Sequence, residues 1–152
     1  MSQAAKKYEI CDEYIEIAKK LRELHMEMLF DCNPDEIVCH MVVNKERPEK
    51  TPIIKVSAVP EPLNVSSSFA HYVILFESDW RVFDDRQKAN VVMKSMLRMT
   101  MVEDVPKLIS PDLYEFLLLV RTLGVDYMDD DSSPNLLTDT INWQLDPISY
   151  KK

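Results

Sequence analysis

The sequence predicts an α+β fold in a single domain, a small β-sheet packed with an N-terminal helix, a central helix and a C-terminal helix. Three observations predict it. His71–Phe76 is a continuous apolar, β-branched and aromatic run, which suits a strand covered on both faces. Two long stretches, Lys6–Phe30 and the segment after Asp84, carry apolar residues at helical spacing with charges opposite. The lone glycine, Gly124, follows a third apolar segment, where a helix end accepts a left-handed residue.

Taken in order, Lys6–Phe30 is the first predicted helix. Tyr8, Cys11, Tyr14, Ile15, Ala18, Leu21, Leu24 and Met28 form its apolar stripe, and Glu16 with Lys19 and Lys20 supports the exposed side. His25 falls near the edge of the stripe, a place for a surface or partly satisfied histidine rather than a ligand. Asn33-Pro34 stops the helix. Ile37–Val43 is short enough to favour a strand, and the charged loop Lys45–Pro52 leads to a second strand at Ile53–Val59. Pro60–Ser68 is a polar connection with no phosphate-cradling glycines.

The centre of the chain is Phe69–Met101: the buried strand, an acidic turn, then a helix. Asp84 caps that helix, with Gln87 three residues on to complete a capping box. Ala89, Val92, Met93, Met96 and Leu97 make its apolar face, and Lys88, Lys94 and Arg98 fall largely outside it. Met101–Ile109 reads as a linker broken by Pro106. Ser110 is an N-cap, Pro111 suits the first helical position and Asp112 suits the positive end of the helix dipole. The chain thus divides into a domain at 1–127 and an acidic extension at 128–152, packed on that domain. From Asp126 to Tyr150 there are six aspartates and no Lys or Arg, while Leu136, Leu137, Ile141 and Trp143 require something to pack against.

Composition excludes several classes. A net charge of −8 opposes general nucleic-acid binding, which needs clustered Lys and Arg, and leaves either plain solubility or an acidic face offered to a basic partner. No apolar stretch approaches the roughly 20 residues that span a bilayer, so an intracellular location is expected. Cys11, Cys32 and Cys39 cannot all pair within one chain and read as reduced, partly buried thiols. Cys32, Cys39 and His40 match no common zinc spacing and have no fourth ligand nearby. His71 sits in the core strand as a structural residue, and no histidine adjoins a nucleophile motif.

Several short runs carry a family resemblance: Val73-Ile74-Leu75, Trp80, Gln87-Lys88-Ala89, then Ser95-Met96-Leu97-Arg98-Met99. Downstream, Pro111-Asp112-Leu113-Tyr114-Glu115-Phe116 precedes Arg121-Thr122-Leu123-Gly124, and Ile54–Val59 forms a weaker match. Over roughly Tyr8–Tyr127 the chain resembles the phage metallopeptidase family, a zincin-like group whose members carry a strand, a Trp, a Gln-bearing helix start and H-E-L-x-H. A second element of that family, His-Asp-x-x-x-Phe, supplies a further ligand. The resemblance implies a zincin-like domain with the central helix as a degenerate active-site helix. It also implies vestigial site positions at Ser95, Met96, Met99, Pro111 and Asp112.

The departures carry the functional expectation. In H-E-x-x-H, two imidazoles one turn apart bind zinc and the Glu acts as general base. Here Ser95 and Met99 replace the histidines, Met96 replaces the base and Pro111 replaces the third ligand. A hydroxyl, thioethers and a proline cannot hold Zn²⁺ as imidazoles do. The expectation is a pseudoenzyme, with no metal, cofactor or catalytic residue. It would be a non-catalytic phage or prophage interaction protein, inhibiting a host defence nuclease (anti-CRISPR or anti-restriction type) through an acidic surface. Asp126, Asp129, Asp130, Asp131, Asp139 and Trp143 are its candidate partner-binding residues. The expected partner is a protein, with no direct nucleic-acid or membrane binding, in the cytoplasm of a bacterial host if phage-encoded. The alternatives are a metal-dependent peptidase with an unrecognised ligand set and a structural or regulatory homodimer.

Overall fold

The computed structural model describes residues 7–109, 113–124 and 126–143. In chain order the elements are β1 (Tyr8–Ile10), α1 (Asp12–Leu24), α2 (Met26–Leu29), a 3₁₀ turn at Pro34–Glu36, β2 (Ile37–Val42) and β3 (Ile54–Ala58). There follow α3 (Leu63–Ser66), β4 (His71–Phe76), α4 (Glu77–Trp80), α5 (Asp85–Met96), β5 (Met99–Val102), β6 (Val105–Leu108) and α6 (Leu113–Leu123). The fold is α+β. Its main sheet has the order β1-β2-β4-β3, with β2 parallel to β4 and both edge strands antiparallel to their neighbours; β5 and β6 form a separate antiparallel pair.

Alternation along the strands sets the core. Ile37 and Cys39 of β2, Val56 of β3, and His71, Val73 and Leu75 of β4 are buried on one face. Tyr14, Ala18 and Leu21 of α1 and Ala89, Val92, Met93 and Met96 of α5 join them in one cluster. Each fully buried Leu or Met contributes roughly 1.5–3 kcal/mol, whereas an exposed ion pair such as Lys19–Asp35, at 3.3 Å, belongs to a class worth about 0–1 kcal/mol. Packing of α1 and α5 on the sheet therefore dominates stability. A polar lock joins three helices over that core. The Trp80 indole donates to Glu13 Oε1 at 2.7 Å, and Lys88 Nζ donates to the same oxygen at 2.9 Å while lying 5.2 Å from the Trp80 ring centre.

The capping box forms as expected: Asp84 accepts from the Gln87 N–H, and the Gln87 side chain accepts from the Asp84 N–H. Gly124 takes φ +104° and its N–H bonds Val120 O at 2.8 Å, closing α6. Several expectations need correction. The first helix does not begin at Lys6: Tyr8–Ile10 is a strand, and the Cys11 N–H is bonded to Cys39 O at 2.9 Å, so the backbone is committed to the sheet until Asp12. Phe30 also lies beyond the helix, which breaks at His25 (φ −130°) before the short α2. Met101–Ile109 is not a linker. It belongs to a β-hairpin whose two turn residues, Glu103 and Asp104, both have positive φ (51° and 65°), the conformation a tight hairpin turn requires. Pro106 sits within β6 opposite Met101. Ser110, Pro111 and Asp112 lie outside the described residues. No helix among the described residues is long and apolar enough to cross a membrane.

Candidate functional site

The central helix ends at Met96, and Met99 opens β5, so Ser95 and Met99 do not stand one turn apart on a single helix. The three described positions that the resemblance would match to ligands and base, Ser95, Met96 and Met99, are all absorbed by the core. Ser95, 1 % exposed, donates to Val92 O at 2.7 Å and accepts from the Tyr14 hydroxyl at 2.5 Å. Met96 is buried among the residues of α1 and α5. Met99 Sδ accepts from the Cys32 thiol at 3.6 Å. These side chains do not fit a zinc ion: the hydroxyl is already paired at both ends, and thioethers suit softer metals. Among the described residues, no three or more His, Cys, Asp or Glu side chains are grouped so as to hold a metal.

The sulfurs cluster around Tyr14. Burial drives its phenol well above the ordinary range, with the Ser95 bond only partly opposing it, so it stays protonated as a donor. Burial likewise pushes the Cys32 thiol up to about 12. Cys11, between β1 and α1, lies against Cys39 of β2, and both thiols are buried and free. Their mutual hydrogen bond lowers the Cys11 thiol and raises that of Cys39. Alternation sends Cys39 to the helix side and leaves His40 on the other face, where it meets the Tyr8 ring edge-on. The two cannot converge on one ion.

The acidic segment is tied down from beneath. Arg86 of α5, 7 % exposed, donates to the carbonyls of Tyr127 and Met128, the second at 2.9 Å, and lies 3.8 Å from the Asp131 carboxylate. Gln87 Nε2 adds a bond to Met128 O at 2.8 Å, and Asn90 Nδ2 one to Tyr127 O at 3.4 Å. Over this base Asp126, Asp129, Asp130 and Asp131 are exposed in one run of turns, in which the Asp126 carbonyl accepts from the N–H groups of Asp129 and Asp130. Hydrogen bonds from Ser132 hold the Asp130 carboxyl below the usual range. Asp139 belongs to the next turn, accepting from Asn135 N at 2.7 Å.

Trp143 is engaged within the chain. Its indole N–H points to His25 Nδ1 at 3.4 Å and its ring meets the imidazole edge-on at 5.5 Å. His25 Nε2–H donates to Leu136 O at 2.8 Å, so this histidine is buried and satisfied on both nitrogens. Sequence reasoning missed the roles of Arg86, Asn90 and His25. A signal for the first two exists: Arg86 and Asn90 fall at i and i+4 on the apolar stripe of α5 with Ala89 and Met93, where polar residues must bond to something.

Neither a protein-family model, nor a curated protein, nor a solved structure matches this chain.

Proposed function

We propose that the protein is a non-catalytic interaction protein of phage or prophage type. In this reading it is built on a zincin-like scaffold whose catalytic positions have been given over to packing, and it acts in the bacterial cytoplasm. The observation that carries the reading is the Arg86 clamp: four exposed aspartates stand in a run of turns whose Tyr127 and Met128 carbonyls are held by buried Arg86 and half-buried Gln87. Charges fixed in advance lose little freedom on docking, and complementary potential speeds encounter with a basic surface. The nucleic-acid groove of a host defence nuclease is such a surface. Core use of Ser95, Met96 and Met99 supports the non-catalytic half of the proposal.

The test is cleavage of DNA by host restriction or CRISPR nucleases with and without equimolar protein. Inhibition that weakens with salt, and is lost in the Asp126→Lys, Asp129→Lys, Asp130→Lys, Asp131→Lys variant, is the expected result. Unchanged cleavage across those nucleases, or inhibition by the reversed variant equal to that by the parent, overturns it.

A second reading, a symmetric homodimer, is favoured by the sheet face opposite the helices. Tyr8 and Ile10 are each more than half exposed there, and the pairings Tyr8–Val42 and Ile10–His40 place them on one surface. A monomeric mass in solution at working concentration removes it.

A further inference from the structure

A cleft of about 450 Å³ separates β3 from α5, a size in the range of small-molecule sites. Its walls are apolar, with Ile54, Val56, Val91 and Met128 among them. Cations stand along one side. Lys94 of α5 and Arg98 of the turn that follows it both line this side, and neither has an acidic partner among the described residues. One turn before Lys94, Asn90 lines the same cleft at 0 % exposure. Its Nδ2 is turned to Tyr127 O, and its Oδ1 is buried with no hydrogen-bond partner. A buried acceptor left unmade costs about 1–3 kcal/mol, so a donor reaching Asn90 from the cleft would relieve that cost.

We propose that this cleft binds a small anionic amphiphile with an N–H donor beside its carboxylate, an N-acyl amino acid in chemical class. The acyl chain covers the apolar walls, the amide N–H donates to Asn90 Oδ1, and the carboxylate lies by Lys94 and Arg98. A plain fatty acid supplies the chain and the charge but leaves Asn90 unpaired. The proposal does not rest on the acidic-surface reading, since it uses the opposite sign of charge, although Asn90 and Met128 belong to both regions.

The experiment is calorimetric titration with N-decanoylglycine below its micelle threshold, beside the ester analogue O-decanoylglycolate, which lacks only the N–H. An extended acidic heptapeptide is the third probe. The expected result is one molecule of amide bound per chain, with the ester weaker by roughly tenfold or more, the measure of one unmade buried hydrogen bond. Lys94→Glu with Arg98→Glu weakens amide and ester alike by at least about tenfold through reversed charge. Asn90→Ala, with its fold checked by circular dichroism, binds both but no longer distinguishes them. No binding of the amide, equal binding by the charge-reversed variant, or discrimination surviving in Asn90→Ala overturns the proposal. So does tight binding of the heptapeptide with none of the amphiphile.

Discussion

The hydroxyls of Tyr14 and Ser95, 81 residues apart in sequence, meet at 2.5 Å inside the interface of α1 and α5. Neither has water to fall back on, since Tyr14 is 0 % and Ser95 1 % exposed. Tyr14→Phe keeps the ring and removes the donor, leaving Ser95 its bond to Val92 O. It should cost about 1 kcal/mol, and a chain of this size then melts roughly 2–4 °C lower. Thermal unfolding with an unchanged far-UV spectrum checks it; an unshifted midpoint contradicts the pairing.

Installing an H-E-x-x-H pattern at 95–99 should not create a zinc site. The variant Ser95→His, Met96→Glu, Met99→His places the second imidazole on β5, past the end of α5. It also drives a carboxylate into the core, where an unpaired charge is costly. The expected product is destabilised and carries no stoichiometric zinc after dialysis against the metal. Tight equimolar zinc in a folded variant would refute this geometry.

Arg86→Ala removes the donors to two carbonyls at once and should cost about 1–3 kcal/mol, the range for a buried acceptor left without its donor. Arg86→Lys should recover little, because a single ammonium cannot reproduce the fork. Urea midpoints measure the first effect. Limited proteolysis gives the second, with faster cleavage around Asp126–Asp131 in both variants than in the parent.

Acid should weaken the fold in two steps. Burial lowers the pKa of His71, more than its bond to Lys107 O raises it, so its folded value lies below its unfolded one. Stability therefore falls as pH drops from about 6.5 through that folded value. At Glu13 burial acts upward, but the bonds from Lys88 and Trp80 together outweigh it, and the carboxyl titrates below its usual range. Its contribution is complete above about 4.3 and lost as pH falls through the folded value. Urea midpoints from neutral to acid pH should show the lower step shrink in Glu13→Gln while the upper persists.

All three thiols should resist alkylation in the native protein. Each is buried, and burial keeps Cys32 protonated with its pKa near 12. Mass spectrometry after N-ethylmaleimide treatment at neutral pH should find none modified in buffer and three in denaturant; prompt modification of Cys32 in buffer would contradict its placement.

What the sequence made legible was whatever has a local cause. The Asp84–Gln87 box, the buried strand at His71–Phe76 and the helix end at Gly124 each rest on residues within a few positions of one another, so pattern alone finds them. Tyr8–Ile10 was misread because its partner strand lies some thirty residues away and its apolar residues also fit a helical stripe. The hairpin was missed because Glu103 and Asp104 adopt positive φ without the Asn or Gly that normally advertises such a turn. The polar work of Arg86, Asn90 and Tyr14 depends on partners from distant elements, and only their position on apolar faces hints at it.

The three-residue β1 has an importance out of proportion to its length. It covers the outer flank of β2 at His40–Val42, which would otherwise offer unpaired amides and carbonyls to another molecule. A version trimmed through Ile10 should lose little of the central packing yet self-associate through the bared ladder, so the short leading strand acts as a guard against aggregation.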